Sequence, residues 1–154
     1  MSEATADQRL EAMLAEFTTD IAARAADAIG RLRARLPTAT VLVYDNYNAL
    51  AAGFLPNDRP SDAVVSIAVF PRWVTLCFLK NGPALPDPHG LLKGSGTRVR
   101  HLRLPEAAHL DTPAVAALLD AALAMAEPPM PIPPPGKLLI RSVSAKRRPR
   151  RPPG

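Results

Sequence analysis

Leu10, Met13, Leu14, Phe17, Ile21, Ala25, Ala28, Ile29, Leu32 and Leu36 recur at intervals of three and four residues, the spacing that lines one face of an α-helix. Thr5 followed three residues later by Gln8 forms a capping box, and Thr18-Thr19-Asp20 supplies a second start signal. The segment therefore reads as two unequal helices or as one, ended in either case by Pro37. After it the period changes. Residues 41–44, 63–70 and 73–79 are runs of β-branched, aliphatic and aromatic side chains and read as strands, the last two joined by a short hairpin at Pro71-Arg72. Asn81-Gly82 is a turn signal directly after them, and Pro56 to Pro60 form the loop that feeds them.

Residues 98–104 are extended, but the apolar set changes parity between Val99 and Leu102, which requires a bulge or cations facing inward. Asp111-Thr112-Pro113 opens a further helix through Val115, Leu118, Leu119, Ala122, Leu123 and Ala126. The run Pro128 to Pro135 stops it and is expected to be extended and semi-rigid. Residues 137–140 add a last strand. The pattern predicts an α+β fold: N-terminal helices and a C-terminal helix packed on a central antiparallel sheet.

A chain of 154 residues with 47% hydrophobic side chains is one domain's worth, able to bury about two thirds of its unfolded surface. Its charge is unevenly spread. Residues 137–154 hold seven of the 19 Lys and Arg and none of the 14 Asp and Glu, so the rest of the chain is slightly acidic. This divides the chain into a domain at 1–144 and a basic, disordered tail at 145–154. The tail residues Lys146, Arg147, Arg148, Arg150 and Arg151 suit weak, non-specific contact with nucleic-acid phosphates, but no aromatic residue stands among them to stack on bases. The lone Cys77 sits in an apolar run, where a core thiol is expected, and it cannot form an internal disulfide. The N-terminus lacks a signal-peptide pattern and no apolar run reaches the length of a membrane span, so a cytoplasmic protein without membrane contact is expected.

Polar, cationic and conformationally special residues are densest from Lys80 to His101. Prolines 83, 86 and 88 fix φ, whereas Gly90, Gly94 and Gly96 permit positive φ, which predicts a shaped loop. Lys93, Gly94, Ser95, Gly96, Arg98 and Arg100 then form a cationic, glycine-rich turn suited to a phosphate or carboxylate, with Asp87 and His89 at its other end. A purely architectural role competes with that reading, since Asp87 can cap the turn at His89-Gly90. The order of residues 90–97 is not a P-loop, because Lys93 precedes the closing glycine. His89, His101 and His109 lack the spacing of a metal site, and no nucleophile and base pair stands out. Tyr44, Tyr47 and Trp73 with Asn46 either line a concave sheet face for an amphipathic ligand or belong to the core.

The segments 44–50, 73–74, 85–96 and 99–101, beginning Tyr44-Asp45-Asn46-Tyr47-Asn48 and including Leu85-Pro86-Asp87-Pro88 and Gly94-Ser95-Gly96, resemble in their order the YdhG-like bacterial domains of unknown function. That resemblance implies a compact α+β domain with helices on an antiparallel sheet. One branch of that family is described as a frataxin-like intracellular iron chaperone, which implies carboxylates presented by a helix and a neighbouring strand. Here Glu3, Asp7, Glu11, Glu16, Asp20 and Asp27 alternate with Arg9, Arg24, Arg31, Arg33 and Arg35, so no acidic ridge of the kind hard cations need is formed.

The sequence thus reads first as a non-enzymatic module without a cofactor, binding a small anionic ligand at loop 87–101. An intracellular iron chaperone is the alternative, and an enzyme acting on a small anionic substrate the third reading.

Overall fold

In the computed structural model, residues 4–132 and 135–153 are described. Two helices open the fold, α1 (Ala6–Leu14) and α2 (Thr19–Arg35). Both expected caps are made. The Gln8 amide nitrogen donates to Thr5 Oγ1 over 3.1 Å while the Gln8 side chain accepts from the Thr5 nitrogen over 2.8 Å, and Thr18 Oγ1 accepts from the Ile21 nitrogen. Two helices therefore form, with the break at Ala15 to Thr18, where Phe17 turns into the core.

Six strands form one sheet: β1 (Thr40–Asp45), β2 (Leu50–Leu55), β3 (Val65–Val69), β4 (Val74–Phe78), β5 (Arg100–Arg103) and β6 (Leu138–Val143), in the order β5-β4-β3-β2-β1-β6. Strands β1 to β5 are an antiparallel meander, whereas β6 runs parallel to β1. The sheet is therefore mixed, not antiparallel throughout. The cause is the helix α3 (Pro113–Ala124), which lies between β5 and β6 in the chain. A meander of five strands leaves β5 running in the direction of β1, and a helix that carries the chain back lets the next strand run that way again. Thr112 takes the N-cap position of α3, but its hydroxyl donates to the His109 carbonyl and caps no helix N–H.

Strand β2 was absent from the sequence-based expectation. Its residues, Leu50-Ala51-Ala52-Gly53-Phe54-Leu55, have poor strand propensity, and tertiary pairing on both sides overrides it. The register sorts side chains cleanly. Val41, Val43, Ala52, Phe54, Val65, Ile67, Val74, Leu76 and Leu102 join the helices' Phe17, Ile21, Ala25, Ile29, Leu32, Leu118 and Leu119 in one core. Fully burying a leucine, isoleucine or phenylalanine side chain contributes about 1.5–3 kcal/mol before entropy is charged against it. The other face carries the row Tyr44, Ala51, Ala68, Thr75 and Arg103, aligned by pairing.

The stretch 145–154, expected to be disordered, is instead docked through residue 153, beside β1 and the turn that follows it. Arg150 is only 5% exposed. The physical reason is Asp45, the last residue of β1, which is 2% exposed and accepts from Arg147 Nη1 and Arg150 Nη2, each over 2.7 Å. A buried carboxylate at the end of a strand requires a cation, and the arm supplies two. Of the proline-rich run, Pro133 and Pro134 lie outside the described residues, as does Glu3 among the helix acids.

Candidate functional site

The loop that precedes β5 is shaped largely by its own polar groups. Both carboxylate oxygens of Asp87 accept backbone N–H bonds over 2.9 Å, from Leu91 and Leu92, which is the architectural role. His89 is exposed at the turn this creates, where Gly90 holds a φ of 61°. Gly94 also has positive φ, at 118°, but Gly96 does not, so the two-glycine anion cradle expected at 94–96 is not formed. Arg100 turns back into the loop, donating to the carbonyls of Gly96 and Val99. The parity change has the same origin: Val99 belongs to the loop, β5 starts at Arg100, and Leu102 resumes the core face.

Lys93 and Arg98 consequently line different clefts, and Arg100 lines neither of them. Arg98 lies in a cleft with Lys80, Thr97, Met125 and Glu127, and Ser95 lines neither that cleft nor the one around Lys93. Gly82 fixes this division. Its nitrogen donates to the Arg98 carbonyl over 2.9 Å, and a Cβ there would meet the Arg100 nitrogen at 2.8 Å, so only glycine permits the turn to lie against the start of β5.

Lys93 has different company. It exchanges backbone hydrogen bonds of 2.8 and 3.0 Å with His101, which pins the end of the loop to the outer edge of β5. Lys93, His101, Arg103 and His109, with Leu91 and Leu102, line an open cleft of about 490 Å³. Arg103 is set by stacking, its guanidinium carbon 4.0 Å from the centre of the Trp73 ring. His109 is brought in by the 3-10 turn Ala107–Asp111. Among the described residues no carboxylate lines this cleft, and Asp111, two residues beyond His109, is paired instead with Arg31. In the sequence Arg103 reads only as part of an extended run, and His109 only as one of three histidines without metal-site spacing. The parity of β5 was the available signal for Arg103, but the position of His109 depends on a tertiary turn.

Of the aromatic group, Tyr47 and Trp73 line a second pocket, whereas Tyr44 lies on the sheet face away from the helices and Asn46 gives its carbonyl to Arg150. Trp73 is half-buried and Tyr47 is 50% exposed, so neither is a core residue. Among the described residues no three His, Cys, Asp or Glu side chains gather as a metal site requires. Four of the helix acids are taken up by arginine, Asp7 with Arg33, Asp20 with Arg24, Asp27 with Arg31 and Glu16 with Arg147, whereas Glu11 makes no such pair among the described residues. Hydrogen bonding to Glu16 raises Arg147 above the usual guanidinium range, with burial opposing and the charge of Asp45 reinforcing it.

Within the arm, Arg151 donates to the carbonyls of Ala15 and Glu16. Arg147 and Arg150 are held by Asp45, which leaves Lys146 and Arg148 as the arm's cations without a carboxylate or helix carbonyl partner among the described residues. Arg150 Nε and Nη1 are buried without a hydrogen-bond partner among the described residues, and the Phe17 ring, 5.7 Å from the guanidinium carbon, offers its face to that charge.

No family model matches this chain, and no curated protein or solved structure matches it either. Among the described residues no helix is long and apolar enough to cross a membrane.

Proposed function

We propose that this chain is a non-enzymatic binding module for a small anionic ligand, a phosphate or a carboxylate, held in the cleft between Lys93, His101, Arg103 and His109. The observation that carries the reading is the lining itself: a lysine, an arginine and two imidazoles, with no carboxylate among the described residues that form it. Lys93 supplies a mobile ammonium, and Arg103, oriented on Trp73, a planar fork that engages two oxygens at once. The site is displaced from the glycine turn 94–96 to the edge of β5, and Asp87, Gly94 and Arg100 serve it by shaping the loop that delivers Lys93. Membership of the YdhG-like domains, and a cytoplasmic setting for the free thiol Cys77, belong to the same proposal. An iron chaperone is disfavoured by the pairing of Asp7, Glu16, Asp20 and Asp27 with arginine.

Calorimetric titration with inorganic phosphate and with succinate tests the reading. Each charge-assisted bond is worth about 1.5–3 kcal/mol where water is partly excluded, so Lys93→Ala and Arg103→Ala weaken binding by about tenfold or more. Arg98→Ala, in its separate cleft, leaves binding unchanged. Neither anion binding the wild type, or equal binding by all three variants, contradicts it.

A further inference from the structure

The second pocket is built where two turns of the sheet meet the docked arm. Tyr47 comes from the β1-β2 turn, Phe70, Arg72 and Trp73 from the β3-β4 turn, and Arg148 and Arg151 from the arm, whose prolines complete the apolar wall. The space is about 780 Å³, within the range of small-molecule sites. The arm is seated there by its own backbone, the Arg148 nitrogen donating to the Tyr47 carbonyl over 2.8 Å, and by the Asp45 lock on Arg150. The pocket is therefore a product of arm docking.

Its chemistry is specific in two respects. Three aromatic rings face it, with Phe70 and Trp73 tilted against each other at 5.8 Å. Three arginines line it and, among the described residues, no carboxylate does. Arg72 and Arg148 have no carboxylate partner among the described residues, and the Arg148 guanidinium stands 5.8 Å from the Tyr47 ring centre. Rings recognise a planar apolar body, and uncommitted guanidinium groups recognise an oxyanion at its edge. We infer that this pocket binds a small planar aromatic acid, its ring against Trp73 and Tyr47 and its carboxylate on Arg72 and Arg148. The site shares no lining residue with the Lys93 cleft, although the two meet where Arg103 stacks on Trp73.

Trp73 is the chain's single tryptophan, so its fluorescence reports directly on this pocket. The probe is 4-nitrobenzoate, whose ring quenches indole, compared with uncharged 4-nitrobenzyl alcohol and with ring-less acetate. The expected result is saturable quenching by 4-nitrobenzoate. It weakens by about tenfold or more in the Arg72→Ala/Arg148→Ala double variant and is unchanged in Lys93→Ala. The alcohol gives far weaker binding, and acetate does not compete at equal concentration. Quenching that rises linearly without saturation overturns the inference, as does equal affinity for the alcohol or unchanged binding by the double variant. Loss of binding in Lys93→Ala alone assigns the acid to the other cleft and overturns it equally.

Discussion

At Cys77 and Arg103, neighbouring strands give similar positions different chemistry. Cys77 lies on β4 and Arg103 on β5, both on the sheet face turned away from the helices, yet one is silent and the other available. Burial pushes the Cys77 thiol up from its ordinary range, only partly opposed by a hydrogen bond with Ser66. The thiolate is the reactive species, so the native thiol is expected to resist a disulfide reagent at neutral pH and to react rapidly once urea unfolds the chain. Stoichiometric labelling of the native protein within seconds would contradict this. Arg103 is exposed and extends over Trp73, which restricts its rotamers without neutralising its charge.

Among the elements, the loop that feeds β3 shows how a short connection is pinned. Asp62 accepts from the Asn57 side chain over 2.9 Å and from Lys80, and Asn57 also accepts from the Arg59 nitrogen. The Asn57 hydrogen bond foremost, then Lys80, lowers the Asp62 carboxyl below its ordinary range against the opposing effect of burial. A carboxylate whose folded pKa lies below its unfolded one stabilises the fold fully above the ordinary carboxylate range. That contribution is lost as pH falls through the depressed value. Asp62→Asn is therefore expected to lower the melting temperature at neutral pH while flattening its fall in acid, and parallel melting curves against pH would contradict this. Much at this scale was legible from local signals: Thr5 with Gln8, Thr18, Pro71-Arg72 and the start of α3 each carry their cause within four residues. Strand β2 was not, because Ala51, Ala52 and Gly53 become a strand only when β1 and β3 flank them. The direction of β6 depends on where α3 sends the chain, which apolar periodicity does not encode.

For the molecule as a whole, the arm and the body form one electrostatic unit. The surplus of cations after residue 136 reads as a free tail only while Asp45 is assumed to be surface-exposed, and nothing within ten residues of Asp45 announces a partner over a hundred positions away. Removing one side of a buried pair leaves the other charge uncompensated, at a cost of about 3–5 kcal/mol, whereas apolar replacement of both sides is often nearly neutral. Asp45→Ala is thus expected to destabilise the chain by about that amount in urea denaturation, and to open the arm to trypsin at Arg147 and Arg150, whose following residues are not proline. Asp45→Leu/Arg150→Met is expected to recover most of the stability. A loss below about 1 kcal/mol in Asp45→Ala, with the arm cut equally fast in wild type, would mean that the arm is not docked.

The same reasoning separates the candidate sites across the molecule. The glycine loop was conspicuous in sequence because its residue types are unusual, yet Asp87 and Arg100 spend their hydrogen bonds on its backbone. The cleft beside it gathers Lys93, His101, Arg103 and His109 from three separate segments and was legible only in part. The three histidines distinguish the two directly. In a titration with inorganic phosphate followed by the histidine ring signals in NMR, the account predicts saturable shifts at His101 and His109, which line the cleft, and none at His89, exposed on the loop's turn. Shifts at His89 with His101 and His109 unmoved, or no saturable shift at any of the three, would contradict it.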